Sequence, residues 1–259
     1  LLRWSRKGVA FRGILREHGF MHYINFTYGE LQIKFECLNN VHTVQHVTSI
    51  LKGDTYKSVP CIPNVKTIVD VGANLGATSL LFSCWYPDAT LYSIEPQREV
   101  YEILARNSER NPNAKCFNFG LYDSQRRTPL YKSRVEAGTA SIGKSFLNTA
   151  LSEEIELRDA ATFFKDQQID AIDILKVDTE GCEYPILMSI KEKLPRIWVI
   201  YLEYHSEEDR RRIDDLLAPT HVLLRAKVEK AHCGEVTYVR TDLGNYWPDL
   251  HLHRIVMPA

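Results

Sequence analysis

Four groups of residues in this chain have the types and spacing for chemistry, and each closes a short apolar run. Asp70 stands in Thr67-Ile-Val-Asp-Val71, just ahead of Gly72-Ala73-Asn74-Leu75-Gly76. Glu95 follows Leu91 to Ile94, and Asp178 follows Ile174-Leu-Lys-Val177 and leads into Thr179-Glu180-Gly181-Cys182-Glu183. Glu203 and His205 end the run Tyr201-Leu-Glu-Tyr-His205. The first group reads as strand, glycine-rich turn and helix, because β-branched residues give way to glycines and then to helix formers at Ala77 to Ser83. Such a turn offers bare backbone N–H groups at a helix N-terminus, and a side chain at either glycine is expected to hold a ligand away.

Two details of the turn, and the acid after it, select the ligand. A dinucleotide fingerprint wants a second glycine where this chain has Asn74, and Asp70 would repel a pyrophosphate while attracting an amino group. Glu95 stands where an acid accepts hydrogen bonds from a ribose diol. An acid, a bare turn and a second acid suit a nucleoside that carries an amino acid, which is S-adenosylmethionine. The bland alternative is an ordinary strand-to-helix turn that binds nothing; the framing by Asp70 and Glu95 argues against it.

In a wound parallel sheet ligands bind outside the carboxyl ends of the strands, so Asp178 is expected beside the same opening as Asp70 and Glu95. Glu180 and Glu183 share a face at a helix start, where first-turn acids also simply favour the macrodipole; for Glu183 that structural role is the preferred reading. Period two places Glu203 and His205 on one side of their strand and Tyr204 on the other. A histidine there could take a proton from a substrate hydroxyl, its ordinary pKa near 6.5 suiting the task, or merely cap or pack against the helix that follows.

The elements that must position these groups alternate. From Val65 onward apolar runs at 67–71, 90–94, 115–119, 172–177 and 197–203 are separated by helical patterns, among them 77–86 and 98–110. That is the pattern of an α/β fold, a parallel sheet with helices on both faces. Residues 1–63 read as an N-terminal helical and hairpin extension that caps a substrate pocket, and 64–259 as the main domain. Within the extension, 1–20 is loosely helical, 21–40 a hairpin around Tyr28-Gly29-Glu30, and 41–51 a helix. His42 and His46, one turn apart on that helix, could ligate a metal, but with no third ligand nearby a plain helix surface is the default. The Ser/Thr/Gly-rich stretch 132–156 reads as a hairpin and then a mobile segment near the ligand. Residues 219–240 read as two strands joined by a Cys-Gly turn, and 253–256 as another strand or a tail.

Composition excludes several classes. The chain has 259 residues, with 32 basic and 33 acidic side chains, so no charge excess points to a nucleic-acid surface. No apolar run nears the roughly 18 residues of a membrane span, and none reads as a signal peptide. Six cysteines without Cys-x-x-Cys spacing read as reduced core thiols, giving the expectation of a cytoplasmic protein. The chain opens on Leu1, the expectation for a piece trimmed from something longer.

Taken together, Val69-Asp-Val-Gly-Ala-Asn-Leu-Gly76, Ser93-Ile-Glu-Pro96, Asp173-Ile-Leu-Lys-Val-Asp-Thr-Glu-Gly-Cys-Glu183 and Glu203-Tyr-His205 make the chain resemble the FkbM family of S-adenosylmethionine-dependent class I methyltransferases, over roughly 64–205. The resemblance implies a Rossmann-like, seven-stranded, mostly parallel sheet whose last strand is antiparallel. It implies methyl transfer, most often to a hydroxyl on a polyketide, sugar-like or other secondary-metabolite scaffold, with S-adenosylhomocysteine as product. By position Asp70, Gly72, Ala73, Asn74 and Gly76 would hold the methionyl part and Glu95 the ribose. Asn118 to Leu121 would contact adenine, and Asp178 would lie near the sulfonium. His205 is the expected general base, oriented by Glu203 or Asp178, with Glu180 and His205 against the acceptor. The expected partner is a small-molecule acceptor, free or on a carrier protein; neither nucleic acid nor membrane is expected, and a homodimer is compatible. Rival readings are N-methylation, a divalent metal on Asp178, Glu203 and Glu180, a non-catalytic nucleoside-binding module, and a nicotinamide-dependent oxidoreductase.

Overall fold

The computed structural model describes residues 9–15, 21–60, 62–132, 140–142 and 152–245. Strands β1 (Val9–Leu15), β2 (Met21–Tyr28) and β3 (Leu31–Leu38) form a three-stranded antiparallel sheet, β2 and β3 meeting across Gly29-Glu30 as the hairpin reading requires. The helical expectation for 1–20 fails over β1. Its few apolar residues satisfy either period, and pairing with β2, with a register shift between Phe11 and Ile14, decides for strand. Helix α1 (Val41–Leu51) follows, its first turn capped by the Asn40 side chain accepting from the Thr43 amide at 2.7 Å.

The main sheet begins with β4 (Thr67–Val71), α2 (Ala77–Trp85), β5 (Thr90–Ile94), α3 (Arg98–Ser108) and β6 (Ala114–Phe117). The chain then leaves it for β7 (Gly120–Tyr122), β8 (Arg126–Lys132), β9 (Ala140–Ser141) and β10 (Ser152–Asp159), a small sheet of order β7-β10-β8-β9. The expected hairpin is present, β8 pairing antiparallel with β9 and with β10; β10 itself falls where a mobile segment was expected, because it buries only Ile155 and Leu157 among charged residues, too weak an alternation to stand out. The expected mobile segment falls largely on 133–139 and 143–151, outside the described residues.

After α4 (Ala160–Asp166) the chain returns through β11 (Ile174–Val177), α5 (Glu183–Ser189), β12 (Val199–Tyr204), α6 (Glu207–Leu217), β13 (His221–Lys230) and β14 (Cys233–Arg240). The sheet order is β13-β14-β12-β11-β4-β5-β6; β4, β5, β6, β11 and β12 run parallel, and β14 lies antiparallel between β12 and β13. This is the seven-stranded, mostly parallel sheet with an antiparallel last strand. One correction concerns the β13–β14 connection: Lys230 pairs with Cys233, so the turn is Ala231-His232, with His232 at φ +66°. Gly234 sits inside β14, where a Cβ would strike the Lys227 carbonyl and the Tyr204 ring. The expected strand at 253–256 lies outside the described residues.

Apolar side chains alternate across the central strands and build one core on each face. Val69, Val71, Leu175, Val177, Ile200 and Leu202 pack with residues of α4, α5 and α6. Ile68, Ile174, Val199 and Tyr201 pack with α1, α2, α3 and the N-terminal sheet. The N-terminal extension therefore shares a core with one face of the main sheet. Among the described residues five cysteines are unpaired, and no helix is long and apolar enough to cross a membrane.

His221 gives this fold a pH dependence. Its ring is buried, Nε2 2.9 Å from the Ile197 carbonyl and Nδ1 2.8 Å from Thr220 Oγ1, and burial lowers its pKa to about 4. Between pH 6.5 and 4 the unfolded chain binds a proton there that the folded protein refuses, so stability present above this window is lost as the pH falls through it. Chemical denaturation should show a loss on the order of 3 kcal/mol from this group. The His221→Asn protein should lack that component; equal pH slopes in the two proteins would count against it.

Candidate functional site

The turn after β4 is built by positive-φ residues, Gly72 at +74°, Asn74 at +50° and Gly76 at +89°. The amides of Gly72 and Ala73 both donate to the Ile94 carbonyl at 3.0 Å, which ties the turn to the end of β5. The glycines are needed for a reason other than ligand clearance. A Cβ at Gly72 would run into the Asp178 carbonyl oxygen, and one at Gly76 would lie 2.8 Å from Leu104 Cδ1. They let the chain approach itself.

Asp70 does not stand at the lip of the turn. It is fully buried below it, with Oδ2 accepting from Ser79 Oγ at 2.6 Å and Oδ1 3.1 Å from Lys176 Nζ. Glu95, by contrast, lines a cavity of about 570 Å³ together with Gly72, Ala73 and Asn74. Its Oε2 accepts from the Asn74 amide at 3.0 Å and Oε1 from the Gln97 amide at 2.8 Å. Burial raises its pKa to about 7 against the pull of those two N–H groups. Of the residues expected at the base, Leu121 lines the cavity beside Gly120, whereas Asn118 turns away to donate to the Glu95 and Pro96 carbonyls, each at 3.0 Å. Leu130, Ile142, Ile155 and Leu157 of the small sheet and its connection complete an apolar shelf there.

In the same cavity β11 and β12 bring Asp178, Glu180, Glu203 and His205 together. His205 Nε2 lies 3.2 Å from Glu180 Oε2 and 3.6 Å from Glu203 Oε1, while Nδ1 lies 3.3 Å from Glu183 Oε1. The strand alternation works as expected, since Tyr204 points into the opposite core. Glu183 is almost wholly buried and does more than favour a helix dipole. It accepts from the amides of Thr179, at 2.8 Å, and Gly181, at 3.1 Å, fixing the loop in which Glu180 takes φ +55°.

These surroundings overturn the ordinary histidine pKa assumed above. Burial alone would lower it, but hydrogen bonds to Glu180 and Glu183 push it up to about 12, so the resting ring is imidazolium. Glu203 rises to about 9 through burial and the charge of Asp178. Burial works to raise Asp178 too, and the charges of Lys176 and His205 outweigh it, keeping that carboxyl below its usual range.

Several participants escaped the sequence reading. Tyr56 donates to Asp178 Oδ2 at 3.3 Å, and its ring packs edge-on against Tyr201 at 5.7 Å. Nothing in the sequence around Tyr56 marks it, whereas Lys176 was visible as a lone charge in a buried strand. His42 and His46 are exposed on α1 and face the cavity mouth. Among the described residues the group spaced to hold a metal is instead Asp178, Glu203 and His205, whose ligand atoms lie within 4.8 Å of one another.

The profile of the methyltransferase FkbM domain matches residues 70–234. Methyltransferase sdnD of Sordaria araneosa is 26% identical over 163 residues, covering 51% of this chain and 63% of that protein. Hexuronic acid methyltransferase AglP of Haloferax volcanii is 24% identical over 150 residues, covering 58% of this chain and 60% of that one. The chain thus spans less than two thirds of either relative. Among solved structures, the Methanococcus jannaschii fibrillarin pre-rRNA processing protein has a TM-score of 0.49 at 10% identity, over 89% of this chain and 98% of that one.

The two turns can be separated experimentally. Gly181, at φ +105°, has open space where a Cβ would go, so Gly181→Ala should lose only backbone strain, about 1–2 kcal/mol. Gly72→Ala adds a clash with backbone and should lose at least about 1–3 kcal/mol more. Equal losses in chemical denaturation would contradict the close approach at Gly72.

Proposed function

Because the chain belongs to the FkbM methyltransferase family, we propose that it moves a methyl group from S-adenosylmethionine to a hydroxyl oxygen of a small, sugar-like or secondary-metabolite acceptor. The observation that carries this reading is one cavity lined by two unlike groups, Glu95 with the bare turn and the Asp178–Glu203–His205 cluster. The residues suit the nucleoside. The Glu95 carboxylate is oriented by two amides and can still accept from a diol, while Leu121, Leu130, Ile155 and Leu157 offer an apolar surface for a flat base. Asp70 lies buried, bonded to Ser79 and Lys176.

S-adenosylmethionine, when bound, supplies a methyl carbon already activated by positive sulfur. The protein's task is then to orient the acceptor oxygen and receive its proton. We assign the proton to His205. Since the ring is protonated at rest, its own proton must first pass to a neighbour. Glu203, raised to about 9 by burial and the charge of Asp178, already holds a proton near neutral pH, so the carboxyl placed to receive it is Glu180, 3.2 Å from the same Nε2. The name of the Haloferax relative supports a hydroxylated acceptor. A second reading, in which a divalent metal on Asp178, Glu203 and His205 acidifies the hydroxyl, is favoured by the spacing of those ligand atoms.

Calorimetry should detect S-adenosylhomocysteine binding, weakened at least ~10-fold in Glu95→Ala by loss of charge-assisted hydrogen bonds. A panel of sugar-like and other alcohols, with amines alongside, should give a methylated alcohol. Transfer that withstands a chelator and falls ~100-fold or more in His205→Ala supports the base; loss with chelator and recovery with magnesium supports the metal. Well-folded protein that binds no S-adenosylhomocysteine would end the proposal.

A further inference from the structure

Strand β11 carries a lysine between Leu175 and Val177, and its side chain is only 3% exposed. In register it lies between Asp70 of β4 and Tyr201 of β12, on the sheet face that also carries Ile68 and Ile174. Asp70 pairs onward with Ser93, whose Oγ is 2.8 Å from Ser79 Oγ. A polar row therefore crosses the buried sheet directly beneath the cavity. Isolated charges are rarely buried there, because desolvating an ammonium is costly unless it is paired and hydrogen-bonded.

Neutralising Asp70 would account for one contact of Lys176 Nζ, at 3.1 Å. The shortest is a different one: Nζ donates to the Gly72 carbonyl at 2.6 Å, within the turn itself. It reaches the Val71 carbonyl at 3.4 Å and Asp178 Oδ2 at 3.6 Å as well. Tyr56 donates to that same Asp178 oxygen. One cation thus touches both the backbone of the turn and a carboxylate of the cluster.

We infer that Lys176 is a positioning residue that locks the Gly72 turn and the Asp178 end of β11 into one fixed relation, setting where donor and acceptor meet. The inference rests on the proposed function for its meaning, since only in-line transfer makes that relation matter. For such a displacement a misplacement of about 1 Å costs on the order of 100-fold in rate. A lysine serving only to neutralise Asp70 would have no such effect once both charges were removed together.

The test uses the double variant Lys176→Met with Asp70→Asn, which removes both members of the pair and strands no buried charge. Hydrogen exchange read at 72–76 and at 178–181 should become faster together, by ~10-fold or more, while the protein stays folded. Turnover should fall ~100-fold, with S-adenosylhomocysteine affinity changed far less. Unchanged exchange and turnover in a folded double variant would overturn the inference. Should that variant fail to fold, Asp178→Asn weakens the cluster arm of the tie while leaving the Lys176 bond to the Gly72 carbonyl in place. Faster exchange at 72–76 in it supports the coupling, and unchanged exchange there rejects it. Wild-type protein that binds no S-adenosylhomocysteine would remove the proposed function, while the exchange experiment would still decide whether the two segments are locked together.

Discussion

The site depends first on a steric constraint: the backbone at Asp178 passes so close over Gly72 that no side chain fits between them. The same crossing continues the ladder, since the Asp178 amide donates to the Val71 carbonyl at 3.1 Å. Two neighbouring parallel strands therefore end at one level, and the loops that leave them diverge around a shared space. The turn cannot move without disturbing β11, and the acids after β11 inherit the rigidity of the sheet. Rigid strand ends can hold reacting groups to within the small tolerance that alignment demands.

Electrostatics forms the second layer. Asp70, Asp178, Glu180, Glu183 and Glu203 converge on Lys176 and His205 in a region where burial is deep at Asp70, Lys176 and Glu183. Low local polarity amplifies each pairing, which is why His205 and Glu203 depart so far from their ordinary values. Negative charge exceeds positive there, an environment receptive to a cationic ligand. Glu183, tied down by backbone amides, sets the shape of this cluster from behind.

Much of this was legible in the chain, and the limits have physical causes. Strands buried on both faces announce themselves as apolar runs, so β4, β5, β11 and β12 and the acids that end them were placed within two or three residues. The faces of the ends were legible too, because period two separates Glu203 and His205 from Tyr204. Half-exposed edge elements were not: β1 passed for helix and β10 for a mobile segment, since their few apolar residues acquire a period only once a partner strand is present. The direction of a side chain was the other loss. Asp70 and Asn118 occupy the expected positions yet turn toward Lys176 and the Glu95 carbonyl, choices made by neighbours distant in sequence. For the same reason the histidine could be located but its proton could not.

The small sheet of β7, β10, β8 and β9 has one more consequence. Among the described residues, the shelf it lends to the cavity rests on a satellite cluster of Leu130, Ile155 and Leu157, whereas β4, β11 and β12 are anchored in the core of the main sheet. A wall with few buried apolar contacts opens at lower free energy than one built into a large core. Passage of a bulky guest by parting this minor lobe would leave the register of the main sheet undisturbed.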